Sequence, residues 1–162
     1  VRINKKKNKF SAEPYYKFNS SFKRLLDEEG YPGSKPPWGT ITAINLKNGK
    51  IKWQKPFGEY EKLSNTGVPI TGTENYSGVT GTEAGILFAT GTLDKKFRVL
   101  DSDNGKELWS YTLPFIGSSP PVTYQVGDEQ YVLVNSTGSF SLKKGYPDLV
   151  DFGNKIIVFK LK

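Results

Sequence analysis

From Thr40 onward, short runs of alternating apolar and polar residues are separated by turns rich in Gly and Asn, the period-two pattern of half-buried strands. Residues 40–46 and 50–55 read as one hairpin, followed by four strands near 76–81, 85–91, 96–101 and 106–113. Three more fall near 120–125, 130–135 and 154–160, so about nine strands group as two, four and three. One stretch occurs twice: residues 43–53, AINLKNGKIKW, align without a gap on residues 99–109, VLDSDNGKELW, at a period of 56. A third copy begins where residues 154–161 line up with 95–102. Each copy is an alternating run, a turn with Gly at its tight position, and a second run carrying one Trp. A unit of this size cannot bury its own apolar face and must stack on neighbours, so the pattern predicts an all-β array of propeller-type blades.

Residues 1–35 lack this period and are expected to form a basic lead-in, with residues 36–162 forming one complete blade flanked by two incomplete ones. Ser20 and Ser21 are candidate N-caps for a short helix with Phe22, Leu25 and Leu26 on one face and Gly30 as its stop. Residues 31–39, YPGSKPPWG, hold three Pro and two Gly in nine positions, which predicts an irregular connection presenting Trp38 at its end. Packing alone makes that ring a plug for a sheet edge.

At 162 residues, 36% hydrophobic and 14% aromatic, the chain has a globular composition. No apolar run reaches the roughly 20 residues of a membrane helix, and no targeting signal is legible in VRINKKKNKF. The absence of Cys and His excludes thiol chemistry, c-type haem attachment and the commonest general base, and the absence of Met marks an expected piece of a longer chain. Most of the net charge of +7 sits in residues 1–35, with nine Lys and Arg against four Asp and Glu. Such an arm, interleaved with Phe10, Tyr15, Tyr16 and Phe18, suits phosphate contact and base stacking. No recognition motif follows it, so a solvated lead-in is expected and a nucleic-acid partner is not.

The repeat resembles the tryptophan-docking motif of the pyrroloquinoline quinone (PQQ) dependent dehydrogenases, Ala-x-Asp-x-x-x-Gly-x-x-x-Trp. Ala43, Gly49 and Trp53 fit one copy and Asp101, Gly105 and Trp109 the other, with Asn45 for Asp, Val99 for Ala, and Asn48 and Asn104 where Thr is usual. Gly30-Tyr31-Pro32, Pro36 to Thr40 (PPWGT), Gly72 to Tyr76 (GTENY) and Lys96-Phe97-Arg98 are similar to the C-terminal part of the membrane-associated, glucose-dehydrogenase type of quinoprotein. The similarity covers about residues 30–162. It implies a segment of an eight-bladed propeller holding PQQ and a calcium or magnesium ion at its centre. It also implies oxidation of a sugar or alcohol, with electrons passed to a quinone or cytochrome, in the periplasm or at a membrane face.

The resemblance places Trp38 and Asn75 near the cofactor. Asp94 matches an acidic position near the active site, beside the plainer reading of a turn acid ahead of Lys95 and Lys96. Residues 135–140, NSTGSF, fall where a run ending His-Gly-Ser-Phe is usual, so Thr137 stands in place of the His, and the stretch 141–152 is longer than the usual connection. Metal ligands and the catalytic acid-base residue are expected mainly in earlier blades, no metal ligand is assigned in this chain, and the chain is expected to be inactive alone. Two other classes stay open: a non-catalytic propeller scaffold of the outer-membrane assembly type, and a degenerate quinoprotein.

Overall fold

The computed structural model describes the backbone of residues 2–7 and 14–19 and all of residues 23–160. Strands β1 (Arg2–Lys7) and β2 (Pro14–Asn19) form an antiparallel hairpin that the sequence pattern did not reveal. The helix expected from Ser20 to Gly30 falls partly outside the described residues, and its described part, from Lys23, is not helical. Asp27 is the reason. Its carboxylate accepts the amides of Glu29 (3.0 Å) and Tyr31 (2.8 Å), which folds the chain into a turn. Gly33 N then donates to Leu25 O at 2.8 Å. A short polar side chain that captures nearby amides competes directly with a helix.

The remaining strands follow the expected grouping. β3 (Thr40–Asn45) pairs with β4 (Lys50–Pro56). β5 (Val79–Gly81), β6 (Ile86–Ala89), β7 (Lys96–Asp101) and β8 (Glu107–Thr112) form a four-stranded antiparallel meander without crossovers. β9 (Val122–Val126), β10 (Glu129–Ser136) and β11 (Lys155–Lys160) form a three-stranded sheet with β10 in the middle. Two short helices interrupt stretches expected to be irregular: α1 (Glu61–Asn65) between β4 and β5, and α2 (Phe140–Gly145) between β10 and β11.

The middle strands β6 and β7 of the central sheet are covered on both faces. Phe88, Phe97 and Leu113 pack with Val132, Val134 and Phe159 of the three-stranded sheet. On its other side Ala89 and Leu100 meet Phe57 and Ile41 of the two-stranded unit. The outer sheets, by contrast, leave Ile44, Ile51, Val122, Tyr124, Ile156 and Val158 exposed. A sheet sandwiched between two others, each turned to face the next, is the stacking of propeller blades.

The two repeats are the same structure twice. Ala43 stands opposite Trp53 and Val99 opposite Trp109, and each hairpin is bulged at the following position. The turns use identical bonds: Asn45 accepts from Lys47 N at 2.9 Å as Asp101 does from Asp103 N at 2.7 Å. Asn48 accepts from Lys50 N at 3.0 Å as Asn104 does from Lys106 N at 2.8 Å. Gly49 and Gly105 take φ of 69° and 67°, where a side chain is disfavoured. Asn therefore does the work of Asp and Thr in this turn. Gly105 has a second duty, because a Cβ there would lie 2.7 Å from the Trp53 ring. Trp53 lies flat on that turn, and its indole N–H donates to Ser102 O at 2.9 Å. Trp109 packs edge-on to Phe97 and Phe159 and remains 46% exposed.

Candidate functional site

Strand alternation puts every second connection at one end of the stack. The Gly-bearing repeat turns lie at one end, while the segment before β3 and the β4–β5, β6–β7, β8–β9 and β10–β11 connections share the other. Gly49, Trp53, Gly105 and Trp109 thus belong to the turn end or the strands rising from it, and Trp38, Asn75, Asp94 and Thr137 to the opposite rim. The rim is a layer in its own right. Tyr60, Leu93, Ile116, Leu142, Tyr146 and Val150, all from connections, form a core joined by Leu26, Tyr31, Trp38 and Leu63. Backbone bonds stitch it together: Trp38 N to Thr71 O (2.7 Å), Thr73 N to Phe57 O (2.9 Å), Leu113 N to Lys95 O (2.8 Å) and Gly138 N to Ile116 O (2.9 Å).

Trp38 is a packing residue of this layer. Tyr31 stacks on its ring at 6.1 Å and 9°, Tyr60 meets it edge-on at 5.4 Å, and its indole N–H donates to Ser34 O at 2.7 Å. These contacts fix the orientation of a ring that stays partly exposed.

Asn75 and Thr137 are linked through the connections between them. The Asn75 carboxamide donates to Thr90 O at 2.9 Å and accepts from Ser77 N at 2.6 Å. Thr90 lies against Gly117, where a Cβ would come within 2.2 Å of its hydroxyl, and the next residue, Ser118, shares a 2.7 Å hydrogen bond with Thr137 Oγ1. The adjoining inner strands start side by side, with Thr80 Oγ1 donating to Pro121 O.

Asp94 faces the preceding blade instead. Its carboxylate is fully buried and forms a bidentate pair with Arg98, whose side chain is 7% exposed. It also accepts from Thr92 Oγ1 (2.6 Å), Lys96 N (3.1 Å) and Glu59 N (3.0 Å). Arg98 continues to Glu107 at 3.0 Å and lies over the Phe57 ring at 5.4 Å, while Lys96 pairs with Glu59. With every oxygen engaged, Asp94 is the anchor of an inter-blade charge network, and it also lines the open cleft beside α1. Burial pushes its carboxyl up, but the Arg98 guanidinium together with Thr92 and the Lys96 amide outweighs that and holds it below the usual carboxylate range. A carboxyl depressed on folding contributes stability above its unfolded pKa of about 3.9, and that contribution disappears as pH falls through the folded value. Protection of the β7 amides, taken relative to the intrinsic exchange rate at each pH, is accordingly expected to fall on acidification below about pH 4, with a shallower acid dependence in Asp94→Asn.

An open cleft of about 490 Å³ lies between the lead-in, α1 and the stretch after α2, lined by Glu29, Tyr31, Tyr60, Leu93 and Asp151 among others. Neither Asn75 nor Thr137 lines it. Of the residues whose hydroxyls lack partners, Tyr60 lines the cleft and the other three do not. Ser77 Oγ and Thr90 Oγ1, beside Asn75, and Tyr60 OH and Tyr146 OH, in the rim core, are buried and lack a hydrogen-bond partner among the described residues. Buried hydroxyls are normally satisfied, so each asks for a group to complete it. Sequence inspection missed Ser77 and Thr90, since nothing in a lone hydroxyl residue betrays its burial.

A flat, oxygen-rich cofactor such as PQQ needs donors and close backbone approach. The second amide hydrogen of exposed Asn75 supplies such a donor, with the enclosed Ser77 and Thr90 packed behind it. Gly91, where a Cβ would lie 2.3 Å from Ser77 Cβ and 3.0 Å from Asn75 Oδ1, keeps the backbone close to them. The donor set fits the periphery of such a group. Among the described residues there is no cluster of three or more acidic, Cys or His side chains able to hold a metal ion. No helix among them is long and apolar enough to cross a membrane.

Face-packed meander sheets, repeat turns at one end and a polar rim at the other define a β-propeller whose inter-blade contacts use docked tryptophans. Residues 2–132 match the family described as PQQ: glucose/ethanol/alcohol dehydrogenase, beta-propeller domain. The chain is 34% identical over 131 residues to the quinate/shikimate dehydrogenase (quinone) of Acinetobacter baylyi, an overlap covering 76% of this chain and 16% of that protein. It is 32% identical over 133 residues to the quinoprotein glucose dehydrogenase of Escherichia coli, covering 75% of this chain and 16% of the relative. The solved structure of a europium-containing methanol dehydrogenase superposes on 75% of this chain and 23% of its own length, with a TM-score of 0.56 at 22% identity, which bears on the fold alone. The chain belongs to the PQQ-dependent quinoprotein dehydrogenase family. It spans about 16% of the length of these two curated relatives.

Proposed function

We propose that this chain is the C-terminal segment of a PQQ-dependent dehydrogenase that oxidises a sugar or alcohol and delivers the electrons to a quinone or cytochrome. The observation that carries the proposal is the exposed carboxamide of Asn75, locked to Thr90 O and Ser77 N beside the close backbone approach at Gly91, on the rim opposite the repeat turns. PQQ, when bound, supplies the redox chemistry, and the protein contributes binding, orientation and exclusion of water. In this chain the exposed Asn75 carboxamide would donate a hydrogen bond to its oxygens, held in place by Thr90 O and Ser77 N, and Ser118 and Thr137 extend the polar rim. Calcium or magnesium would be held by residues outside this segment, as would the acid-base residue. The segment alone is therefore inactive, and its exposed outer faces await the remaining blades. The resemblance favours a periplasmic or membrane-associated setting.

The test is titration of the full-length apoprotein with PQQ in the presence of calcium. Saturable binding that weakens when Asn75 is replaced by Ala is the expected result. A full-length protein that takes up no PQQ is instead a scaffold. The replacement of His by Thr137, already bonded to Ser118, favours a degenerate enzyme as the second reading. PQQ uptake without turnover of a dye acceptor, across sugars and alcohols, would establish it.

A further inference from the structure

We infer that Arg24, in the lead-in before the first blade, is the positioning residue that sets Asn75 toward the cofactor and locks the long β10–β11 connection to it; the inference rests on the proposed PQQ site. Arg24 meets two separate segments. Its Nε donates to both carboxylate oxygens of Glu74 at 2.9 Å, and a terminal nitrogen reaches Glu74 Oε2 at 2.6 Å. The same nitrogen lies 3.3 Å from Tyr76 OH and 3.3 Å from Ser141 O. The guanidinium also sits over the Tyr146 ring at 5.4 Å and packs on Gly145, where a Cβ would be 2.2 Å from its nitrogen. Glu74 and Tyr76 are the residues on either side of Asn75, and Ser141, Gly145 and Tyr146 belong to α2 or its cap.

The carboxamide of Asn75 can donate its second hydrogen outward only while its other bonds, to Thr90 O and Ser77 N, are kept. The preceding side is pinned by Thr73, whose hydroxyl accepts from Leu93 N at 3.1 Å. The following side has no comparable anchor besides Ser77, so the fork on Glu74 and the contact to Tyr76 fix the peptide planes that carry Asn75. A planar guanidinium holds a carboxylate and a ring at once, which an ammonium does not. The Glu74 bond raises the Arg24 pKa further, so the clamp stays charged at any working pH. Both partners remain a quarter exposed, 24% and 29% at the side chains, and a pair of that exposure adds little to global stability. Its effect is therefore expected in orientation.

The experiment uses the full-length apoprotein with calcium, comparing wild type, Arg24→Ala, Arg24→Lys and Glu74→Gln. PQQ affinity, melting temperature and hydrogen exchange are measured for each, with Lys52→Ala, which removes the exposed Lys52–Asp103 pair at the turn end, as a matched deletion. Arg24→Ala is expected to weaken PQQ binding roughly tenfold, the scale of a contact that acts through a neighbour. Exchange of residues 74–77 and 141–146 should rise together while the melting temperature matches that of Lys52→Ala. Arg24→Lys should recover only part of the affinity. If Arg24→Ala fails to fold, Glu74→Gln, which keeps the shape and loses the charge, decides by the same readouts. PQQ affinity unchanged in these variants overturns the inference and leaves the PQQ site standing. A wild type that binds no PQQ overturns the proposed function, and the inference with it.

Discussion

Arg98→Ala is expected to loosen β7 by about 3–5 kcal/mol, the scale of removing one partner from a buried ion pair. The loss is large because of what remains. Asp94 would keep a carboxylate with no exposed surface, facing the apolar Phe57 and Leu100 layer, with only Thr92 and two backbone amides to hold its charge. Lys96 and Glu59 form a second pair beside it, so the defect would spread across the junction between the first two blades. Exchange of the β7 amides is the measurement, with protection factors expected to fall by two to four orders of magnitude. Replacing both partners, Asp94→Leu with Arg98→Met, should recover most of the loss, because a buried pair exchanged for well-packed apolar groups is often neutral. A single mutant that exchanges like wild type would mean that water already reaches the pair.

Gly72→Ala is expected to be comparably damaging for a steric reason. Gly72 and Gly39 pass backbone to backbone: a Cβ on Gly72 would lie 2.0 Å from Gly39 O, and one on Gly39 would lie 1.9 Å from Thr73 O. Gly72 also takes φ of 73°, which costs an L-residue roughly 1–2 kcal/mol before any clash. Overpacking of this kind adds about 1–3 kcal/mol, and more where neither side is a flexible side chain. The separated segments carry the Trp38 N to Thr71 O and Thr73 N to Phe57 O bonds, so the rim would open between the lead-in and the β4–β5 connection. Loss of exchange protection at Thr73 and Leu93, with the repeat turns unaffected, is the outcome to look for. Uniform loss of protection throughout would instead mean that the blade itself had unfolded.

The sheets were legible because the repeat states them twice, and the identical bulges and turn bonds explain why three Asn substitutions did not blur it. The connections were harder to read. α1 begins at Tyr60 without a side-chain cap, and a five-residue helix of this kind depends on tertiary contact, here through Leu63. α2 depends similarly on fully buried Leu142. The lead-in failed for the opposite reason: the expected helix carried a good pattern of Leu and acidic residues, yet Asp27 diverted the amides. Asp94 was singled out as either a site acid or a turn acid. Both accounts overlooked Arg98, whose inward position in β7 follows from alternation with Phe97 but whose partner across the loop does not. Asn75 was reached by resemblance, and its companions Ser77 and Thr90 became visible only when their surroundings were seen to be closed.

Trp53 resting on the turn that contains Gly105 bears on the order of assembly. Each sheet is a meander of strands adjacent in sequence, so its internal pairing needs only short loop closures. The indole bond to Ser102 spans 49 residues and joins one sheet to the next. Blades can thus form locally, while these flat aromatic contacts make neighbouring blades rise and fall together. In a one-dimensional stack, cooperativity resides at such junctions, and a ring divided at any of them would lose the stabilisation that each blade draws from its neighbour.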